Sequence, residues 1–149
     1  MDVGCYCVSG ARLLAGEPDT VFASQITGPT GVDVRLAALM RFENDVIAQF
    51  HCGFDLPTES RLEAIGSRGS IVLRDPWHAR KPGLELRRED GSEWIAVEPA
   101  NSYCLELENL ADAIRGVSPP LLGRKDAVAQ ARVIEALYRS AATGTAVRP

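Results

Sequence analysis

The chain of 149 residues contains no G-x-G-x-x-G, the glycine pattern that opens a helix after a strand and cradles a dinucleotide pyrophosphate. Gly28-Pro29-Thr30-Gly31 and Gly66-Ser67-Arg68-Gly69 come nearest, but their spacing differs and neither opens a helix. Cofactor binding by this chain alone is therefore not expected. Lysine and arginine never gather into a block, and the formal net charge is -4, so nucleic acid and anionic membranes are excluded as expected partners. No apolar run approaches the roughly 20 residues that span a bilayer. The start also lacks the basic-then-apolar pattern of a secretory leader. A cytoplasmic protein is the expectation.

Histidine and cysteine are sparse as well. His51 and His78 have no partner at metal-ligand or nucleophile spacing. His51 reads as a surface or interface residue; His78, after Asp75-Pro76-Trp77, reads as loop packing or a substrate contact. Cys5 and Cys7 stand two apart on a predicted helix, where side chains diverge by roughly 200°, and Cys52 and Cys104 complete no zinc set. Reduced, small, buried cysteines and no metal are expected. Ser9 and Ser60 lie in no nucleophile-elbow motif.

What the chain does have is apolar residue in regular order. At 46% hydrophobic over 149 residues, one domain with a core is expected. An amphipathic helix opens the chain and Thr20 to Gln25 is a short strand. From Val32 to Phe42 the pattern alternates, with Val32, Val34, Leu36, Ala38, Met40 and Phe42 on one face. Glu43-Asn44-Asp45 is a turn, after which Val46, Ala48, Phe50, Cys52 and Phe54 resume an apolar face. A three-residue turn pairs Phe42 with Val46, so both apolar faces lie on the same side of a hairpin. Strands follow at Arg61 to Ile65, Ser70 to Arg74, Gly83 to Arg88 and Glu93 to Val97. Tyr103 to Arg115 is a helix with a stripe of Tyr103, Leu107, Leu110 and Ile114. The last helix runs from about Asp126 to Ala142, with Ala127, Ala131, Ile134, Tyr138 and Ala141 on one face and Gly144 as its stop. The fold class is α+β: an open, mostly antiparallel sheet with helices packed on one face and the other free for association.

The opening Met1-Asp2-Val3-Gly4-Cys5-Tyr6 places a carboxylate and a phenol four residues apart, on one face if both are helical. Two readings fit that spacing. Asp2 caps the helix and Tyr6 packs in the core, or the pair handles a proton at a substrate hydroxyl or carbonyl. A phenol with a pKa of about 10 does the latter well only with help from a cation or metal.

Asp2-Val3-Gly4-Cys5-Tyr6 running into Ala11-Arg12-Leu13-Leu14-Ala15-Gly16-Glu17-Pro18 resembles the start of the C-terminal domain of the Gfo/Idh/MocA oxidoreductases. Gly53-Phe54-Asp55-Leu56-Pro57, Ala64-Ile65-Gly66-Ser67-Arg68-Gly69-Ser70-Ile71, Tyr103-Cys104-Leu105-Glu106-Leu107 and the tail from Asp126-Ala127 to Ala141 agree, in the family's order. The tyrosine at position 6 is similar to the dihydrodiol/xylose dehydrogenase-like branch. The resemblance implies the substrate and oligomerisation domain of an NAD(P)-dependent sugar- or polyol-type dehydrogenase, without the family's N-terminal nucleotide-binding domain or its E-K-P lysine. It implies Tyr6 as catalytic acid/base, with Asp2 orienting the substrate or the phenol. Tyr103, in the loop Asn101-Ser102-Tyr103, either touches substrate or staples its helix to the sheet. NAD or NADP is implied for the family and not for this chain alone, which is then inactive without a Rossmann-containing partner or N-terminal half. The second sheet face carries Ala37, Leu39, Ile47, Ile65, Val72, Ile95 and Val97, more apolar than a solvated face should be. A homodimer through it is expected; a non-catalytic truncated relic or dimerisation scaffold is the alternative.

Overall fold

The computed structural model describes every residue except Lys81, and of Asn44 the backbone alone. Among the described residues the elements run α1 (Gly4–Ala15), β1 (Pro18–Thr27), β2 (Asp33–Phe42), β3 (Ile47–Gly53), β4 (Arg61–Gly66), β5 (Gly69–Arg74), β6 (Leu84–Arg88), β7 (Gly91–Ile95), α2 (Ser102–Ile114) and α3 (Arg124–Thr143). The class is α+β with open antiparallel sheets, as the pattern predicts. The strands form two sheets, β1-β2-β3 and β4-β5-β6-β7. They belong to two compact units, Met1–Pro57 with Arg124–Pro149, and Thr58–Gly123. No helix among the described residues is long and apolar enough to cross a membrane.

In the first unit, period-2 alternation has done what it should. Leu36 faces Cys52 and Met40 faces Ala48 across the β2–β3 hairpin, and the Phe42 N–H donates to the Val46 carbonyl at 2.9 Å. That is the register the three-residue turn implies. Leu36, Ala38, Met40 and Phe42 are buried together with Val21 and Ala23 of β1, Val8 of α1, and Val133, Ala136 and Leu137 of α3. Both helices thus cover one face of the three-stranded sheet. The outer edge of β1 is partly closed by the tail, through paired backbone bonds between Val21 and Val147 of 2.8 and 2.9 Å, which limits edge-to-edge pairing.

α3 ends as predicted: Gly144 has φ +68 and its N–H reaches the Ser140 carbonyl, a left-handed stop that favours glycine. Its inward face differs from the expected stripe. Val133, Ala136, Leu137 and Ser140 are buried, Ile134 and Ala141 lie at the border, and Ala127 and Ala131 are exposed. Ser140 hides this face from a hydrophobicity reading. Its hydroxyl accepts the Ala23 N–H at 3.0 Å and donates to the Thr145 carbonyl at 2.6 Å, so a polar residue sits against β1 with no unsatisfied group.

The second unit is a four-stranded meander with two-residue turns at Ser67-Arg68 and Glu89-Asp90, followed by α2. Val72 corrects an expectation: assigned to the open face, it is fully buried. Its cross-strand neighbours are Glu63 and Glu85, bridged by Arg87, which bonds Glu85 at 2.8 Å and lies 3.9 Å from Glu63. It thus lies between paired charged residues, whose aliphatic stems are suited to cover apolar surface. Leu39, Ile47, Ile65, Ile95 and Val97 are exposed, as expected. α2 buries none of its residues, and Tyr103, Leu107, Leu110 and Ile114 stay more than half exposed. Tyr103 is therefore no staple.

The register makes neighbouring leucines unequal. Leu36→Ala should cost about 2–5 kcal/mol of unfolding free energy, while Leu39→Ala, 44% exposed, should stay within about 1 kcal/mol. Urea unfolding of both variants checks this, and similar losses would contradict the assignment of faces.

Candidate functional site

α1 starts at Gly4 with Val3 as its N-cap residue, and no side chain caps it. Asp2 therefore lies before the helix, where four-residue helical spacing does not apply, and it makes no cap. Its backbone carbonyl accepts the Cys5 thiol at 2.8 Å. Tyr6 lies in the first turn and is 50% exposed, so its ring is not enclosed in the core. The turn is closely packed: a Cβ on Gly4 would meet the Met1 side chain at 2.7 Å and the Cys52 sulfur of β3 at 2.8 Å, closer than packed atoms approach.

The rest of α1 is held by a residue that periodicity did not single out. Arg12 stands four residues after Val8, on the buried face, and is 8% exposed. A guanidinium there must be paired. Its Nε and Nη2 donate to both oxygens of Glu17 at 2.9 and 2.6 Å, Nη2 also reaches Asp126 at 2.9 Å, and Nη1 donates to Gln130 at 2.8 Å. Asp126 and Gln130 are four apart on α3, hence on one face. The Arg12 hydrogen bonds hold the Glu17 carboxyl below its ordinary range against burial, and Glu17 in turn raises Arg12. The sequence signal was available: an arginine in phase with the apolar stripe of α1.

Tyr138 and Asp33 form a second pair that sequence reading missed. The Tyr138 hydroxyl donates to Asp33 at 2.7 Å. Burial, then the Asp33 carboxylate, pushes the phenol up to about 12. Asp33 is lowered: burial works against this, and the hydrogen bond from the Tyr138 hydroxyl favours the carboxylate.

The expected Tyr103 belongs to the second unit. It lines an open cavity of about 400 Å³ with His78, Arg80, Asn101 and Ser102. Asp75, with φ +57, turns the chain so that its carboxylate meets His78 Nδ1 at 3.0 Å and Arg80 Nε at 3.6 Å. Burial would raise Asp75, yet the His78 hydrogen bond and the Arg80 charge hold it low. The Asn101 side chain accepts the N–H groups of Tyr103 and Cys104 and so caps α2. The rim offers an aromatic ring, an imidazole, a guanidinium and a hydroxyl, a mixture suited to hydroxyl-rich ligands. Elsewhere, Cys7 is pushed up to about 11 by burial and by the neighbouring Cys52 and Cys5, which keeps that thiol protonated. Among the described residues no cluster of histidine, cysteine and carboxylate is placed to hold a metal ion.

A family model described as the GFO/IDH/MocA C-terminal domain matches residues 1–72. D-xylose 1-dehydrogenase (NADP(+)) 2 of Haloferax volcanii is 34% identical over 157 residues, covering 99% of this chain. The chain belongs to the GFO/IDH/MocA family. A second relative, 1,5-anhydro-D-fructose reductase of Ensifer adhaerens, is 32% identical over 121 residues, 80% of this chain and 36% of that protein. The chain spans 46% of the Haloferax protein, so it corresponds to less than half of such an enzyme. In fold, it superposes on aldose-aldose oxidoreductase from Caulobacter crescentus with a TM-score of 0.87 at 23% identity, over 98% of this chain and 46% of that one.

The Arg12 cluster predicts a pH signature. A depressed Glu17 pKa contributes stability that is present above the unfolded value, about 4.3, and is lost as pH falls through the folded one. Arg12→Ala should cost about 1–3 kcal/mol at neutral pH, below the usual figure for a buried pair because Glu17 is 59% exposed. The loss should shrink near pH 3. Urea unfolding at both pH values decides, an equal loss counting against the pairing.

Proposed function

We propose that the chain is the substrate-binding and oligomerisation domain of an NAD(P)-dependent sugar- or polyol-type dehydrogenase. The observation that supports this most is a tyrosine held half exposed on the first turn of α1, in a chain 34% identical over nearly its whole length to a xylose dehydrogenase. Tyr6 acts as acid/base, giving or taking the proton of the reacting hydroxyl oxygen. Asp2, beside the same helix start, orients substrate; within the second unit, Tyr103 offers its ring to a hydroxyl-rich ligand at the rim of its own cavity.

The described residues do not fit a dinucleotide. Both sheets are antiparallel, and the first N–H groups of α2 are taken by Asn101, so neither supplies a strand–glycine turn–helix cradle. We assign NAD or NADP to the portion of such enzymes that this chain does not span, and derive no step through it. The exposed sheet residues Phe22, Leu39 and Ile47 favour a homodimer through the open face of β1–β3. They equally suit a non-catalytic association module, the second reading.

NADH or NADPH titrated into the chain should leave nicotinamide fluorescence unchanged. Joined to a nucleotide-binding half, the chain should oxidise a sugar or polyol alcohol, and Tyr6→Phe should lower kcat by about 10²–10⁴-fold. Undiminished turnover in that variant would overturn the role of Tyr6 and favour the association module. Light scattering at micromolar concentration should give a dimer mass that Leu39→Arg reduces to a monomer; a monomeric parent chain would end the interface proposal.

A further inference from the structure

The turn that carries Tyr6 has little of its own to hold it. It starts without a side-chain cap and with no acidic residue in its first turn, and its first residue is glycine, the poorest helix former after proline. Twelve residues are also at the short limit for a helix that stands by itself. Support has to come from outside α1.

It comes from α3. Gln130 Nε2 donates to the Cys5 carbonyl at 2.8 Å, while Gln130 Oε1 accepts from Arg12 Nη1 at 2.8 Å. Each end of the amide has one compatible partner. A flipped amide would set its NH₂ against a guanidinium and its oxygen against a carbonyl, so the orientation is determined by the contacts. Arg12 cannot drift either, because Glu17 and Asp126 hold its remaining nitrogens. The turn is also packed closely at Gly4, where the Met1 and Cys52 side chains leave no room for a Cβ. The peptide carbonyl that Gln130 grips belongs to the residue immediately before Tyr6.

We propose that Gln130 is a positioning residue for Tyr6: its bond to the Cys5 carbonyl, backed by Arg12, sets the height and rotation of the first turn of α1. This rests on the acid/base reading of Tyr6 given above. A phenol that must meet a reacting oxygen tolerates little error, since a displacement of about 1 Å can cost about 10²-fold in rate. A clamp on the adjacent peptide fixes the Tyr6 Cα, from which the half-exposed ring projects.

The test is made on the chain itself, with tyrosine labelled at the ring Cζ carbon. Its three tyrosines, Tyr6, Tyr103 and Tyr138, serve as probe, reference in the second unit, and reporter on α3. Gln130→Leu removes both bonds; Gln130→Glu keeps an acceptor for Arg12 and loses the donor to Cys5, and serves if the first variant does not fold. Each should shift or broaden the Tyr6 resonance, leave Tyr103 unmoved, and speed exchange of the Val8, Ser9 and Gly10 amides, which close the first turn of α1, by about five- to tenfold. Val133→Ala, a core change on α3, should lower Tm without moving Tyr6. An unmoved Tyr6 resonance in both Gln130 variants, or an equal shift in Val133→Ala, would overturn the proposal and leave Gln130 merely structural. Failure of the Tyr6 reading would appear separately, as undiminished turnover of Tyr6→Phe in the joined enzyme.

Discussion

A guanidinium stripped of nearly all its water must find its partners within the fold, and Arg12 meets that demand by drawing on two other segments. Glu17 comes from the turn after α1, and Asp126 and Gln130 come from one face of α3. Hydrophobic packing alone would allow α1 to slide or rotate on the sheet, because apolar contact is not directional. Four hydrogen bonds from one planar group remove that freedom. Through Gln130 the constraint reaches the Cys5 carbonyl and therefore the turn that presents Tyr6.

This arrangement explains how a half-exposed tyrosine is held on a poorly capped helix start. The cost of Gly4, of a missing cap and of a charge on the buried face is borne by tertiary contacts with β3 and α3. Local rules are broken at one end of one helix, and the compensation is found in the residues that surround it. Such local departures from good helix design concentrate where function needs a defined geometry.

The β2–β3 hairpin was legible because alternation and turn length specify register together; Phe42 and Val46 had to pair once both apolar faces were on the same side. The end of α3 was legible for a similar reason, since Gly144 takes a left-handed conformation that other residues disfavour. Three things were not. Ser140 turns inward because its hydroxyl has two partners, which depends on the distant Ala23 and Thr145. Val72 is fully buried between charged cross-strand neighbours, although its strand face looks open in a pattern of polar and apolar letters. α2 has a clean apolar stripe that buries nothing, because a stripe specifies which face seeks a partner and not whether one is supplied. At the candidate site, Tyr6 was readable from its motif, whereas the clamp behind it joins positions more than 100 residues apart and has no local signature.

The account stands on Arg12 and Gln130 acting as one unit, and a double-mutant cycle tests that most directly. Arg12→Ala, Gln130→Ala and the double variant would be compared by urea unfolding at neutral pH. Coupling predicts that the double variant loses less than the sum of the single losses, by about 0.5–3 kcal/mol. Losses that add to within about 0.3 kcal/mol would mean that the two residues act independently, and that the Tyr6 turn is held by something else.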